Sequence, residues 1–205
     1  YFILKRALID LNGFVKNNFD LNVEVTIVGK GAAWKKLISE VEKLDKLKVK
    51  FIDYIEPEGI SDFLSTRADL LMGMGSSVLE GARVGIPTLL LDFSYKEVPD
   101  GYNYQWLSDR DGFTLGDFID ERNFIKGVDS LANRLYELVH DADRESSRTK
   151  AYYDEHHSIE SVLKDFIPIV SESNCIWGDL ERLNVTGKGF VYSLFNWIRG
   201  VYKLL

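Results

Sequence analysis

Residues 73–77, Gly-Met-Gly-Ser-Ser, place two glycines and two hydroxyls in five positions, and Glu80 follows within one helical turn. Glycines leave the backbone bare, so a ligand reaches its N–H groups directly. A helix opening at Ser77 would aim unpaired N–H groups and a positive dipole end outward. Such a turn is an anion site, and a diphosphate suits it. The same residues also read as a tight strand-to-helix turn with no ligand at all. Glu80 by itself reads as the second half of a Ser77-x-x-Glu80 capping box.

A second glycine pair raises a rival chemistry. The run Val23 to Val28 leads into Gly29-Lys30-Gly31, a helical pattern, another strand and then Asp53, which imitates the dinucleotide fingerprint whose acid binds ribose hydroxyls. The third glycine is absent. Trp34 takes its place, and an indole there would hold the helix off the strand. A dinucleotide-dependent oxidoreductase therefore ranks behind the diphosphate reading. His156-His157 follow Asp154-Glu155, but adjacent helical residues point about 100° apart and share one ion poorly. They read as a polar lead-in to Ser158 as an N-cap, and no metal site is expected. Cys175 beside Ile176-Trp177 reads as a packed thiol.

These residues need elements to hold them. Apolar positions at Phe2, Leu4, Ala7, Leu8, Leu11 and Phe14 predict an amphipathic helix from Tyr1 to about Lys16. Strands are expected at Val23–Val28, Val49–Ile52, Asp69–Met72 and Pro87–Leu91, alternating with helices from Gly31 through Leu44, Ile60 to about Arg67, and Ser77–Val84. This is an α/β alternation. It predicts a Rossmann-like open parallel sheet with helices on both faces, whose ligands lie beyond the carboxyl ends of the strands. Both glycine turns fall at such ends. A strand ahead of the first helix is expected in this pattern, so the sequence reads as part of a longer protein. Asp92–Leu115 reads as a polar-aromatic loop, Asn123–His140 and Ser158–Val170 as helices, and DADRESSRTK as a charged hinge between them. The domains expected are residues 1–170 and a helical extension, residues 171–205.

Composition narrows the partners. The chain has 205 residues, 45% hydrophobic and 28% charged, with a formal net charge of −7. That is a globular composition without the basic footprint of a nucleic-acid binder. The single cysteine excludes an internal disulfide and points to a reducing compartment, the cytoplasm by default. Residues 184–205 differ from the rest: they carry Lys188, Arg199 and Lys203 and no acid. Read as a helix, Phe190–Leu205 has a narrow polar stripe of Ser193, Asn196, Gly200 and Lys203 on an otherwise apolar surface. Such a helix either packs on a protein domain or attaches to an anionic membrane surface.

As an ordered set the motifs resemble a known family. VTIVGKGAAWKKL, VKFIDYIEPEGISDFLSTRADLLMGMG, SSVLEGARVGIPTLLLD and YYDEHHSIESVLKDF together are similar to the carboxyl-terminal, donor-binding half of group 1 glycosyltransferases of the GT-B fold. The resemblance spans about residues 1–170. It implies a nucleoside diphosphate sugar as donor substrate, with no cofactor and no metal. Gly73, Met74, Gly75, Ser76 and Ser77 would lie at the donor phosphates and sugar, and Glu80 at the ribose. Tyr54 and Ile55 would lie near the base, and Gly29, Lys30 and Gly31 would border the cleft. The acceptor site and most catalytic groups would belong to an amino-terminal domain of the same protein. The family commonly carries an earlier glutamate that meets the donor sugar; Met72 stands at that position here. The basic pair that grips the diphosphate belongs to a segment ahead of Tyr1. The activity implied is glycosyl transfer to a polysaccharide or glycolipid acceptor, with a non-catalytic nucleotide-sugar-binding module as the alternative.

Overall fold

The computed structural model describes residues 1–18, 20–111 and 113–173. Helix α1, Phe2–Asn17, opens the chain and buries Ile3, Ala7, Leu8, Leu11, Phe14 and Val15 along one face. Strand β1, Glu24–Val28, pairs in parallel with β2, Lys48–Ile52, and α2, Trp34–Val41, connects them. Helix α3, Pro57–Arg67, starts with its proline in the first turn, where the missing N–H costs nothing. It leads to β3, Leu71–Gly73, which pairs in parallel with β4, Thr88–Leu90, through α4, Ser76–Arg83. The chain is thus mixed α/β, with one small parallel sheet (β1-β2) and one small mixed sheet, in which β3 and β4 are joined by a further short strand.

The β-α alternation up to Leu91 is as the sequence predicts, with ends displaced by a few residues. The next segment is not. Within the expected polar-aromatic loop, β5, Gln105–Trp106, lies antiparallel to β4, in register Leu89 to Trp106, and a 3-10 turn follows at Leu107–Asp109. Tyr104, Trp106 and Leu107 are fully buried. An aromatic side chain buries about 150–250 Å², so at about 25 cal/mol per Å² each contributes at most roughly 4–6 kcal/mol. Their polar ends are answered by carboxylates: Tyr104 donates to Asp10 at 2.8 Å and Trp106 Nε1 to Glu137 at 2.7 Å.

Two helices differ from expectation. Helix α5 spans Leu131–His140, not Asn123–His140, because Ser130 caps it by accepting from the Asn133 N–H. The residues before it are held in a turn: Gly127 N donates to Gly101 O, and Asn103 packs against Gly127 so closely that a Cβ there has no room. The charged hinge is itself helix. Helix α6, Ala142–His156, is capped by Asp141, laced by Glu145–Arg148 and Lys150–Asp154 pairs, and buries Glu145, Thr149 and Tyr152. Helix α7, Ile159–Glu172, follows Ser158, whose Oγ accepts from the Ser161 N–H as an N-cap would. The chain divides after Ser161 into two compact units, residues 1–161 and 162–205. The readings of Cys175 and of Phe190–Leu205, and most of the expected extension 171–205, lie outside the described residues. Among the described residues no helix is long and apolar enough to cross a membrane.

Candidate functional site

Gly73 ends β3, and Gly75 is the N-cap of α4. Each glycine has its own cause. A Cβ on Gly73 would meet Ser77 Oγ at 3.1 Å and Val78 Cγ1 at 3.3 Å, so the first turn of α4 lies against the strand end. Gly75 has φ 61° and ψ −152°, a conformation essentially confined to glycine, yet a Cβ there would meet nothing within 4 Å. One glycine permits internal packing. The other sets a backbone direction and leaves its outer side open.

The helix behind the turn is firmly seated. Val78 and Ala82 are fully buried against Leu90, Leu107 and Tyr152, and a Cβ on Gly81 would lie 2.5 Å from Leu71 Cδ2. Helix α6 lies alongside: Ser146 donates to Gly85 O at 2.6 Å. The first N–H groups of α4, those of Ser76 and Ser77, have no intrahelical acceptor. Both residues are exposed.

The capping-box reading is corrected. Ser77 lies inside α4 and is not its cap, its hydroxyl donates back to Met74 O at 2.7 Å, and no side chain caps the helix. Glu80 reaches forward instead and accepts from Arg83 Nη2 at 2.8 Å. Arg83 also donates to Ser61 at 2.5 Å, which ties α4 to α3, and its hydrogen bond to Glu80 raises its pKa. The Glu80 side chain is 40% exposed, and one of its carboxylate oxygens carries the arginine.

A segment without any motif of its own covers the turn. Gly75 N–H donates to Leu115 O at 2.8 Å, and the following Gly116, at φ +116°, lies so close to β4 that a Cβ would sit 2.8 Å from Leu91 O and 3.6 Å from Met74 Cβ. Asp92, just beyond β4, accepts from the Asp117 N–H at 2.7 Å. Phe93 N donates to Asp117 O and Ile119 N to Phe93 O. Residues 115–119 thus form a strap over the carboxyl ends of β3 and β4. Burial raises the pKa of Asp92, while its hydrogen bonds to Asp117 and Tyr102 pull the other way. The glycine in Thr-Leu-Gly-Asp, residues 114–117, is the one signal of this strap in the sequence.

The other predicted residues gather at the other sheet. Gly29, at φ +115°, donates to Ile52 O at 2.9 Å, and Lys30 pairs with Asp53 at 2.8 Å, both side chains well exposed. The acid of the dinucleotide reading is therefore engaged by a lysine. Trp34 packs edge-on against Phe51 with centroids 5.0 Å apart, between α2 and β2. Tyr54 is 64% exposed and Ile55 half-buried. Among the described residues no hydrogen bond or ion pair joins the group 29–31 and 53–55 to the group 73–80. Two clefts, of about 410 and 200 Å³, share no residue with either turn. His156 and His157 ring-pack with Tyr152, and His157 also with Phe113; no three His, Cys, Asp or Glu side chains are grouped for a metal among the described residues.

No protein-family model matches the chain, and no curated protein matches it.

Proposed function

We propose that the chain is the donor-binding domain of a metal-independent GT-B glycosyltransferase, and that the turn Gly73–Ser77 holds the diphosphate of a nucleoside diphosphate sugar. The observation that carries this reading is Gly75: a glycine-only backbone conformation, open on its outer side, at the start of a buried helix and the end of a parallel strand. The N–H groups of Ser76 and Ser77 would neutralise charge building on the leaving nucleoside diphosphate. Met74, exposed at the lip, would flank the sugar. Glu80 would accept from ribose hydroxyls through the oxygen that Arg83 leaves free, Tyr54 and Ile55 would meet the base, and Gly29–Gly31 would border the cleft.

The finer architecture belongs to this proposal as well. β1-β2 and β3-β4 are each parallel, and one more strand between β1 and β3 would join them into an open sheet. The acceptor would be a polysaccharide or glycolipid at the cytoplasmic face of a membrane, reached by an amino-terminal domain of the same protein and by the acid-free segment 190–205. A second reading, a nucleotide-sugar-binding module without catalysis, is favoured by Met72 in the place of the family's earlier glutamate.

Calorimetry with uridine and guanosine diphosphates tests the site, and Glu80→Gln tests its design. A carboxylate accepting two hydroxyls contributes about 1.5–3 kcal/mol, so Glu80→Gln should weaken binding about ten- to a hundredfold. The loss should be smaller for 2′,3′-dideoxy nucleotides, which have no hydroxyls to lose. No heat of binding with any nucleoside diphosphate removes the reading.

A further inference from the structure

We propose that Asp92 is the positioning residue of the Gly73–Ser77 turn, acting through the strap that covers it. Both of its carboxylate oxygens are used. Oδ1 accepts from the Asp117 N–H at 2.7 Å, and Oδ2 accepts from the Tyr102 hydroxyl at 2.9 Å. That hydroxyl in turn accepts from the Asp92 N–H at 2.9 Å, so Tyr102, itself buried, holds Asp92 by backbone and side chain together.

A residue that merely ended β4 would need none of this. An asparagine would accept with one atom only and would present an N–H₂ to the second donor. A carboxylate accepts from both donors at once, whereas the amide would have to donate to the Tyr102 hydroxyl and leave that hydroxyl's own proton without its acceptor. What it holds is specific. Asp117 is two residues from Leu115, whose carbonyl receives the Gly75 N–H, and at Gly116 between them a Cβ would lie 2.8 Å from Leu91 O, with φ at +116°. Arg110 pairs with the Asp117 side chain, so the strap is anchored by its carboxylate as well as by its N–H. Displacing Asp117 therefore moves the acceptor of Gly75, and with it the direction of the next two N–H groups, those of Ser76 and Ser77. The anion-binding role of those groups rests on the function proposed above; the coupling of Asp92 to Gly75 does not.

The test compares amide hydrogen exchange and amide resonances in the full chain and in Asp92→Asn, with uridine and guanosine diphosphates as probes. Gly75 should exchange at least tenfold faster in Asp92→Asn, and the resonances of Gly75, Ser76 and Ser77 should shift, while Val25 and Ile27 of β1 keep their wild-type exchange. Affinity for the nucleotide that binds the wild type should fall at least fivefold. Tyr102→Phe keeps the ring and the carboxylate but removes one donor. It carries the same test with a smaller acceleration, and it decides the matter if Asp92→Asn does not fold. Unchanged exchange at Gly75 in folded Asp92→Asn overturns the proposal. So does acceleration that is equal at Gly75, Val25 and Ile27, which marks general destabilisation. If the wild type binds neither nucleotide, the donor-site reading fails while the exchange data still decide the positioning role.

Discussion

The turns after β1 and after β3 occupy the same place in their β-α units, and each carries two glycines, yet they are built differently. Around Gly29 and Gly31 a Cβ would meet nothing within 4 Å, and the side-chain bond that spans the turn is an exposed Lys30–Asp53 pair. At Gly73 the helix crowds the strand end, a serine bonds back onto the turn, and a strap from beyond β4 holds the N–H of Gly75, although a Cβ on Gly75 would meet nothing within 4 Å. A chain that needs only to reverse direction can leave its turn loose. Over-determining one turn and leaving its analogue open marks the first as the place where backbone direction matters.

The largest effect that would break this comparison is at the glycines themselves. Gly75→Ala forces an L-residue into a conformation of φ 61° and ψ −152°, which should cost about 1–3 kcal/mol. Gly31 has no positive φ and open space around it, so Gly31→Ala should be neutral or stabilising by about 0.4–1 kcal/mol through the unfolded chain. Urea denaturation of both variants reads the difference directly. Equal losses at the two positions would mean that the turns are held alike.

The same contrast explains what can be read from the sequence. The first half is legible because its signals are local: β-branched runs at 23–28 and 49–52, glycines at the strand ends, and an apolar stripe on α1 that the structure buries. The loop glycines of the candidate site are legible for the same reason. The strap is not, because its partners, Leu115 for Gly75 and Asp117 for Asp92, lie 40 and 25 positions away and follow no period. β5 escapes because a two-residue strand has no alternation to read, and its burial comes from α5 and β4 packing over Tyr104 and Trp106. Helix α6 escapes for an opposite reason: DADRESSRTK has no apolar stripe, and its buried face is made by Glu145 and Thr149, with charges answered by Arg148. The spacing of Ser77 and Glu80 imitates a capping box, but the helix starts two residues earlier than that pattern requires, with Gly75 as its cap.

A smaller effect is expected on the open side. Lys30 and Asp53 are 63% and 61% exposed, and ion pairs of that kind contribute about 0–1 kcal/mol. Lys30→Ala should therefore leave the thermal midpoint nearly unchanged, and what little it loses should vanish in high salt. A loss comparable to that of Gly75→Ala would show that the β1 turn depends on its ion pair more than its exposure allows.

The smallest effect concerns pH, and it belongs to the clamped side. His157, past the end of α6, meets the Phe113 ring edge-on with centroids 5.5 Å apart and lies 3.4 Å from the Tyr152 hydroxyl. Burial, and next the neighbouring His156, lower its pKa from the ordinary 6.5. The folded protein therefore binds a proton at His157 less readily than the unfolded chain does. Stability tied to the neutral ring is fully present above about pH 6.5 and is lost as pH falls from there through the folded-state value. His157→Gln removes the titration while keeping a polar group beside Tyr152. Its urea midpoint should fall less than that of wild type between pH 7 and pH 5, with the two curves converging at the acid end. Because Phe113 is two residues from Leu115, the Gly75 amide, which donates to Leu115 O, should lose protection as wild type is acidified, whereas Gly29, at the unstrapped turn, should show no change beyond the intrinsic pH dependence. If His157→Gln retains the full slope of wild type, the ring is not what couples this corner to pH, and the difference between the two turns ends at the strap.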